Sequence, residues 1–257
     1  MTVYLVGAGP GSPDLLTVRA ARLLAAADIV VHDRLVDSRI LEMAAPTATV
    51  IDAGKYPGGP SDAQAHINAV LVDAARRTSV VVRLKGGDPY VFGRGGEEAV
   101  ALRSAGVEVE VVPGVSSAIA GPAAAGIPVT MRGLSSGFTV VTGHQDPAGT
   151  DPLDWEALAR LGTTLVVLMG ASRAAAIADR LLTAGMAPAT PVAAVESATS
   201  VEQRVLRSRL DELADLAEGT IQAPAVLVVG EVAGLDVADA EFGALVSEMA
   251  SETGGGR

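Results

Sequence analysis

Residues 3–17 read VYLVGAGPGSPDLLT, and this stretch indicates the fold class. Residues 3–6 form a short apolar run that predicts a buried strand, and a glycine-rich turn follows at once. Ser12 then precedes Pro13, and a serine N-cap with proline at the first helical position predicts a helix that reaches about Ala27. A strand, a tight turn and a helix in this order are typical of an α/β protein.

The same rhythm continues along the chain, because short apolar runs alternate with helical stretches rich in alanine and leucine. We expect an α/β fold built mainly on parallel sheet. A run with alternating arginines at residues 203–210, next to the strand predicted at 192–195, predicts an antiparallel hairpin at a sheet edge. The remaining predicted strands lie at residues 29–31, 80–84, 107–112, 139–142, 165–169 and 225–229.

Small residues dominate the stretch 112–126, and this change of composition predicts the passage from one domain into another. We therefore expect an N-terminal α/β domain at residues 1–112 and a C-terminal α/β domain at residues 113–235. Residues 236–257 hold few apolar anchors and end in SETGGGR. They are predicted to form a flexible tail.

Composition narrows the chemistry that the protein can use. The 257 residues include no cysteine and only three histidines, which excludes thiolate ligands and nucleophiles and predicts no metal centre. The formal net charge of -11 predicts no nucleic-acid partner, since phosphate binding needs a basic face. No apolar run approaches the ~20 residues of a membrane helix, so we expect a cytoplasmic protein without a membrane partner.

The turn GAGPG at residues 7–11 first suggests dinucleotide binding, in which glycines let the backbone approach a pyrophosphate at a helix N-terminus. The spacing does not fit, because Ser12 stands where the third glycine is required. Pro10 and Pro13 also lack the backbone N–H that a phosphate would use. The turn suits a rigid pocket wall for a ligand without phosphates, and a purely structural role is equally consistent with so short a motif.

Residues 83–98, RLKGGDPYVFGRGGEE, combine a strand end, a Gly-Gly-Asp-Pro turn, two aromatics and three more glycines before a helix. Gly86 and Gly87 allow a bare backbone close to a ligand, and Asp88 before Pro89 is held extended. Its carboxylate could then accept a hydrogen bond from a ribose hydroxyl or an ammonium group. The alternative is a turn that only connects a strand to a helix, but the number of glycines favours a bound ligand.

This segment closely resembles RLKGGDPFIFGRGGEE of the uroporphyrinogen-III C-methyltransferase family, and the resemblance covers almost the whole folded chain. It implies two α/β domains of the tetrapyrrole methylase type with the active site in the cleft between them, and a homodimer. It also implies two methylations of uroporphyrinogen III by S-adenosylmethionine, giving precorrin-2 by way of precorrin-1 for cobalamin or sirohaem synthesis. The other motifs in family order include VYLVGAGPGSPDLLT at 3–17, DRLV at 33–36, VVPGVSSA at 111–118, GIPVTMR at 126–132, VTGH at 141–144 and PAVLVVGEV at 224–232.

The resemblance also assigns roles to individual residues. Asp33 and Lys55 fall on the family's proposed proton acceptor and proton donor. The positions that it assigns to the methyl donor are Pro10, Gly86, Gly87, Asp88, Val91, Ser116, Ser117, Met169, Ala198 and Ala225.

The chemistry of the reaction agrees with the roles of Asp33 and Lys55. A reduced pyrrole carbon is an enamine-like nucleophile, so the transfer needs alignment with the donor methyl group and removal of a proton afterwards. Asp33 follows the second strand, at the sheet edge where α/β ligands bind. Its alternative roles are an ion pair with Arg34 or a helix cap. Lys55 could donate a proton or hold a substrate carboxylate, and the second role is at least as consistent with the sequence.

A substrate with eight carboxylates must meet local positive charge in this acidic protein. The candidate substrate-binding residues in matching motifs are Arg34, Arg94, Thr130 and Arg132, together with Lys55. Each arginine taken alone could equally be a surface charge. The sequence departs from the family mainly on this side, since Tyr56 replaces an arginine, His32 a tyrosine and Met131 a histidine.

Three other functions fit parts of the pattern. Another methyltransferase of the corrin pathway would share the fold and the glycine turns. A nicotinamide-dependent oxidoreductase would share the GAGPG turn, although Ser12 and the two prolines disfavour it. A binding protein without catalysis is suggested by Tyr56 and opposed by the presence of both Asp33 and Lys55.

Overall fold

The computed structural model describes residues 1–54, 60–144, 153–217 and 220–237, with only the backbone for residues 60–63. The chain divides into two compact units, Met1–Ser116 and Ser117–Arg257. The division follows Ser116, a few residues after the boundary that the composition suggested. The stretch proposed as a tail lies outside the described residues except for its first two positions.

The first unit is built on a five-stranded sheet with helices on both faces. Its strands are β1 (Thr2–Gly7), β2 (Ile29–His32), β3 (Thr49–Asp52), β4 (Val80–Lys85) and β5 (Glu108–Val112). Its helices are α1 (Val18–Ala25), α2 (Ser38–Leu41), α3 (Pro60–Arg77) and α4 (Gly95–Ser104). The strand order is β3-β2-β4-β1-β5, and every neighbouring pair is parallel. All five strands therefore end at the same edge of the sheet.

Apolar side chains on the two faces of the sheet explain why the central strands are buried. Val3 and Leu5 of β1 pack on one face against α3 and α4, whereas Val6 packs on the other face against α1 and α2. Alternate residues of a strand point to opposite faces, so a strand covered on both sides needs apolar residues throughout. A continuous apolar run such as that of β1 is the result.

The first α-helix begins later than the sequence suggests. Pro13–Leu15 form only one turn of 3-10 helix, and Leu16 is extended. The N-cap of α1 is Thr17, whose side-chain oxygen accepts a hydrogen bond of 3.1 Å from the backbone N–H of Ala20. Ser12 as the N-cap of a continuous helix was therefore wrong, because the extended Leu16 interrupts the helical hydrogen bonds.

The second unit has a mixed sheet. Its strands are β6 (Phe138–Thr142), β7 (Thr164–Leu168), β8 (Pro191–Glu196), β9 (Arg204–Arg209) and β10 (Ala225–Val229). Its helices are α5 (Ser117–Ala124), α6 (Trp155–Arg160), α7 (Ala174–Thr183) and α8 (Leu213–Ala217). The order is β6-β7-β10-β8-β9, with β6 and β7 parallel and the other three pairs antiparallel. The expectation of mainly parallel sheet was therefore wrong for this unit.

The direction of β10 explains that error. Its residues AVLVV form a short apolar run that is buried on both faces, and such a run gives no sign of the direction in which it crosses a sheet. The antiparallel hairpin predicted at the edge is confirmed, since β8 pairs with β9 from Pro191↔Arg209 to Glu196↔Arg204. The carboxyl ends of β6, β7 and β8 consequently share one sheet edge with the amino end of β10.

Candidate functional site

Two turns of the first unit are joined by backbone hydrogen bonds at the carboxyl edge of its sheet. Gly9 N–H donates to the carbonyl of Gly87 at 3.2 Å, and Gly87 N–H donates to the carbonyl of Gly9 at 2.7 Å. Ala8 N–H also donates to the carbonyl of Lys85 at 2.7 Å. The turn after β1, which contains Pro10, and the turn after β4 are thus held together as one structure.

Glycine is required at this junction because three backbones meet there. A Cβ atom on Gly7 would lie 2.5 Å from the Cα of Gly114, and one on Gly114 would overlap the carbonyl oxygen of Gly87. Gly87 itself has a φ of 66°, which favours glycine. Gly86 differs, since a Cβ there would meet no atom within 4 Å. Its backbone therefore faces open space, which makes it the accessible part of the turn.

The carboxylate of Asp88 holds the same turn in place. Its Oδ1 accepts a hydrogen bond of 2.8 Å from Tyr90 N–H, and its Oδ2 accepts one of 3.1 Å from Gly114 N–H. Each oxygen retains a further lone pair. The sequence suggested that this carboxylate faces a ligand. In the structure, its hydrogen bond from Gly114 N–H connects the turn to the segment after β5, which leads to Ser116.

The residues that follow the turn are exposed and conformationally unusual. Val91 lies at the surface between the exposed aromatic side chains of Tyr90 and Phe92. Phe92 and Arg94 have φ values of 52° and 57°, in the left-handed region that such residues rarely adopt. Strained backbone of this kind clusters at ligand-binding segments.

Arg94 already has an internal partner. Its Nε and Nη2 donate to the two carboxylate oxygens of Glu97 at 2.9 and 2.7 Å, a bidentate pair at the surface. The hydrogen bonds from Arg94 lower the pKa of the Glu97 carboxyl, and the same bonds raise the pKa of Arg94. A substrate carboxylate that binds Arg94 would therefore have to share it with Glu97.

Asp33 is held by a residue from the neighbouring strand. Nη2 of Arg83, on β4, lies 2.5 Å from Oδ1 of Asp33, which follows β2. Nζ of Lys85 lies 3.9 Å from Oδ2 of the same carboxylate. The side chain of Asp33 is 35% exposed, whereas that of Arg83 is 1% exposed. An ion pair with Arg34 was one alternative for Asp33, but the described contacts of its carboxylate are with Arg83 and Lys85.

Glu98 neutralises the buried side of this cluster. Its Oε1 accepts hydrogen bonds from Arg83 Nε at 3.2 Å, Arg83 Nη2 at 3.0 Å and Lys85 Nζ at 2.9 Å. Glu98 is completely buried, and its Oε2 has no hydrogen-bond partner among the described residues. Two cations and two carboxylates thus form a compact group with one carboxylate, that of Asp33, reaching solvent.

The cluster raises the pKa of Arg83 and lowers the pKa of Lys85. Burial opposes the charge of Arg83, but the carboxylates of Asp33 and Glu98 outweigh it and hold the pKa of Arg83 above its usual value. Burial lowers the pKa of Lys85, and the adjacent charge of Arg83 lowers it further, against the attraction of Asp33 and Glu98. Arg83 is therefore the permanent charge of the group.

Arg83, Lys85 and Glu98 were not predicted as site residues from the sequence. A signal was available, since Arg83 and Lys85 stand two residues apart in the apolar strand VVVRLK and must point to the same face. Buried charges need partners, and Glu98 is in the same motif. What the sequence could not show is which face of α4 turns toward the strand.

Arg34, another substrate-side candidate, lies in the loop after β2, and this loop contacts Gly54 after β3. Arg34 is exposed, and a Cβ atom on Gly54 would come within 2.8 Å of its Cβ, so the two loops touch. Nδ1 of His32 lies 2.9 Å from the carbonyl oxygen of Asp33. Lys55, the proposed proton donor, lies outside the described residues.

In the second unit, the structure brings three donor-site candidates, Met169, Ala198 and Ala225, to one edge of the sheet. Met169 follows β7 with a φ of 57° and is 49% exposed. Ala198 follows β8, and Ser197 N–H donates to the carbonyl of Pro224 at 2.9 Å, immediately before Ala225. The remaining candidate, Ser117, begins α5, which packs on β10.

Thr130 and Arg132 are not at that edge. Met131 pairs with Ser135, whose Oγ accepts hydrogen bonds of 3.0 Å from both N–H and Oγ1 of Thr164, at the amino end of β7. Met169 is five residues beyond Thr164, which is roughly 16–17 Å along the strand direction at about 3.3 Å per residue. Within the second unit, these two substrate candidates are separate from the donor candidates.

The described residues contain neither a cluster of metal ligands nor a membrane-spanning helix. No group of three or more histidine, aspartate or glutamate side chains there is placed to hold a metal ion. No helix in the described ranges is long and apolar enough to cross a membrane.

Comparisons with known proteins identify the family. Residues 2–214 match the family described as tetrapyrrole (corrin/porphyrin) methylases. The chain is 51% identical to an S-adenosyl-L-methionine-dependent uroporphyrinogen III methyltransferase of Methanosarcina barkeri, over 90% of this chain and 91% of that protein. A uroporphyrin-III C-methyltransferase of Thermus thermophilus in complex with S-adenosylhomocysteine has 44% identity and a TM-score of 0.79, over 93% and 99% of the two chains.

A more distant solved structure, a cobalt precorrin-4 methyltransferase, has 27% identity and a TM-score of 0.81, over 91% of this chain and 96% of that one. The identity to the Methanosarcina barkeri and Thermus thermophilus proteins is much higher. The chain therefore belongs to the tetrapyrrole (corrin/porphyrin) methylases, within their uroporphyrinogen-III C-methyltransferase family.

Proposed function

We propose that this protein transfers methyl groups from S-adenosylmethionine to two ring carbons of uroporphyrinogen III, giving precorrin-2 by way of precorrin-1. The Asp33 carboxylate carries this proposal, because it is a solvent-accessible base fixed by a buried arginine at the carboxyl edge of a parallel sheet. The match to named uroporphyrinogen III methyltransferases over 90% of the chain supports the same activity. The product would serve cobalamin or sirohaem synthesis.

The residues of both units fit a methyl donor of this kind. When bound, S-adenosylmethionine supplies an electrophilic methyl group on a sulfonium. In the first unit, Gly86 offers an open backbone, and Gly87 and Asp88 keep that turn in shape. In the second unit, Met169 and Ala198 stand on strained turns at one sheet edge. The further donor residues in this proposal are Pro10, Val91, Ser116, Ser117 and Ala225.

Asp33 would remove the proton that the macrocycle loses after methylation. Oδ1 accepts a hydrogen bond from Arg83, which fixes the orientation of the carboxylate. Oδ2 makes no hydrogen bond within the described part of the chain and lies 3.9 Å from Lys85 Nζ. That oxygen can accept a proton while Arg83 holds the other, and proton removal by a positioned base contributes about 10²–10⁴-fold to a rate.

Basic residues would bind the substrate carboxylates. Arg34 is exposed beside Asp33, and Arg94 is exposed at the start of α4. Arg132, with Thr130 beside it, and Lys55 complete the set in this proposal. Each carboxylate bound in this way offsets the repulsion expected from a protein with a formal charge of -11.

The resemblance to the family also supports a homodimer in the cytoplasm as part of this proposal. Light scattering on the purified chain measures the mass in solution, and a monomer at assay concentration would contradict the dimer. Localisation of the tagged full-length chain tests the compartment separately.

The decisive experiment is an anaerobic assay with uroporphyrinogen III and isotopically labelled S-adenosylmethionine. We expect a product that carries two labelled methyl groups and has the absorbance of precorrin-2 and its oxidised form. The absence of transfer to uroporphyrinogen III would overturn the proposal. Transfer only to a later, already methylated corrin precursor would instead assign the chain to another reaction of the same family.

A further inference from the structure

The turn after β8 has an unusual backbone. Ser197 and Thr199 have φ values of 43° and 68°, so Ala198 lies between two residues in the left-handed region. Non-glycine residues leave this region unless their surroundings hold them there. Ser200 N–H to Ser197 carbonyl at 3.1 Å and Gln203 N–H to Ser200 carbonyl at 3.3 Å close the turn, and Ser197 N–H to Pro224 carbonyl at 2.9 Å attaches its first residue to the segment before β10.

Gln203 attaches the turn to the end of α5. Its Oε1 accepts a hydrogen bond of 2.7 Å from Thr199 N–H, and its Nε2 donates one of 2.9 Å to the carbonyl of Ala124. The two partners are a donor and an acceptor, so they define which end of the amide is oxygen and which is nitrogen. One side chain thus links the strained turn to a helix nearly eighty residues earlier in the sequence.

The same helix contacts the turn at a second point. A Cβ atom on Gly121 of α5 would lie 3.7 Å from the Cβ of Ala198 and 3.1 Å from Cγ2 of Val226, in β10. The helix, the turn and the start of β10 therefore pack together at the edge that carries Met169. The position of Ala198 relative to this edge depends on how firmly the turn is held against α5.

We propose that Gln203 is a positioning residue for the methyl donor. It acts through the turn that carries Ala198, since its own amide groups are both used within the protein. This inference rests on the proposed function, which places the donor against Ala198. Loss of the Gln203 amide would free the turn to relax toward ordinary backbone angles and move Ala198, while the rest of the sheet edge stays in place.

Arg207 provides a matched control. Its Nη2 donates to the carbonyls of Ala125 and Leu235, both at 3.0 Å. It therefore binds the next carbonyl at the end of α5, one residue from the partner of Gln203, but its described hydrogen bonds do not reach the turn after β8. Removing either side chain deletes two hydrogen bonds to the protein, and Arg207→Met also removes a partly exposed ion pair with Asp236 at 3.6 Å.

The test compares Gln203→Met, Gln203→Glu and Arg207→Met with the unaltered protein by titration with S-adenosylhomocysteine, by thermal unfolding and by steady-state kinetics. We expect Gln203→Met to raise the Kd for S-adenosylhomocysteine and the KM for the donor by up to about tenfold, the effect of one lost hydrogen bond, with kcat changed much less. Gln203→Glu keeps the acceptor for Thr199 and should lie between. Arg207→Met should lower Tm about as much as Gln203→Met does, but it should leave the Kd for S-adenosylhomocysteine unchanged.

Three outcomes would contradict the inference. Unchanged binding in Gln203→Met would show that the turn does not need the amide. Equal weakening in Gln203→Met and Arg207→Met would show that general loosening of the unit is the cause. Failure of the unaltered protein to bind S-adenosylhomocysteine would overturn the donor site itself, an outcome visible before any variant is made. If Gln203→Met does not fold, Gln203→Glu against Arg207→Met gives the same decision.

Discussion

Nη2 of Arg83 lies 2.5 Å from Oδ1 of Asp33 and so joins a buried guanidinium to a carboxylate that reaches solvent. The same Nη2 lies 3.0 Å from Oε1 of Glu98. One arginine therefore connects the buried charge of α4 to the proposed catalytic base. The arrangement fixes the base through a strand, which is a more rigid support than a loop.

Asp33→Asn should abolish most activity without unfolding the protein. The amide keeps the shape of the carboxylate but cannot take a proton, so we expect kcat to fall by about 10²–10⁴-fold. Binding of S-adenosylhomocysteine, measured by calorimetry, should change little. Asp37→Asn is the control, since Asp37 caps α2 through Arg39 N–H at 2.8 Å and its loss should lower stability by about 1 kcal/mol with kcat retained. Near-normal turnover in Asp33→Asn would refute the role of this base.

Lys85 should make stability depend on alkaline pH. Burial and the charge of Arg83 place its pKa in the folded protein below the usual 10.5. Between that lowered pKa and 10.5 the unfolded chain binds more protons than the folded one, so the contribution of Lys85 to the free energy of unfolding rises with pH. In denaturant unfolding, the free energy of unfolding of the unaltered protein should therefore rise relative to that of Lys85→Met as pH increases through this window. If the difference in the free energy of unfolding between the two proteins stayed constant or became smaller, the lowered pKa of Lys85 would be contradicted.

A methyl group added at Gly114 should lower stability, whereas one added at Gly86 should lower the affinity for the donor. Gly114→Ala places a Cβ against the backbone of Gly7 and Gly87, and we expect a loss of about 1–3 kcal/mol in the free energy of unfolding. Gly86→Ala meets open space, so stability should be unchanged while the Kd for S-adenosylhomocysteine rises. Unfolding curves and calorimetry on the two variants check both halves. Normal donor binding by Gly86→Ala would exclude Gly86 from the donor site.

Salt should weaken substrate binding more than donor binding. The many carboxylates of uroporphyrinogen III would be bound by exposed arginines such as Arg34 and Arg94, and such contacts are screened within a Debye length of about 10 Å at 0.1 M salt. We expect KM for the tetrapyrrole to rise severalfold between low salt and about 0.5 M salt, with the Kd for S-adenosylhomocysteine changed by less than about twofold. Equal sensitivity of both constants would argue against an electrostatic substrate site.

The sequence predicted the α/β class, and the strands near Val3, Val192 and Ala225 are where it placed them. The methyltransferase family, inferred from the resemblance of the Gly86–Gly87 segment, is confirmed by the relatives, and the Methanosarcina barkeri relative is named for the same donor and the same substrate. One strand, β3, was not predicted, because Thr49–Asp52 is a short edge strand with half-exposed side chains and so lacks a continuous apolar run.

The contacts within the candidate site could be predicted less well from the sequence than the fold could. The partner of Asp33 is Arg83, which is next to it in space through the pairing of β2 with β4 but 50 residues away in the chain. Asp88 stabilises its own turn as well as lying in the donor motif, a double use that spacing alone cannot show. The individual donor and substrate assignments stay predictions, and that of Lys55 lies outside the described residues.

Arg83 and Lys85 share one oxygen of Glu98, Oε1, and this affects how the first unit unfolds. If α4 opened alone, the two cations Arg83 and Lys85 would keep only the Asp33 carboxylate as a counter-charge, which is unfavourable. The helix cannot then open as an independent segment but must separate together with β4. In amide hydrogen exchange, Leu102 of α4 and Val82 of β4 should therefore exchange at a common rate, the signature of one cooperative unit.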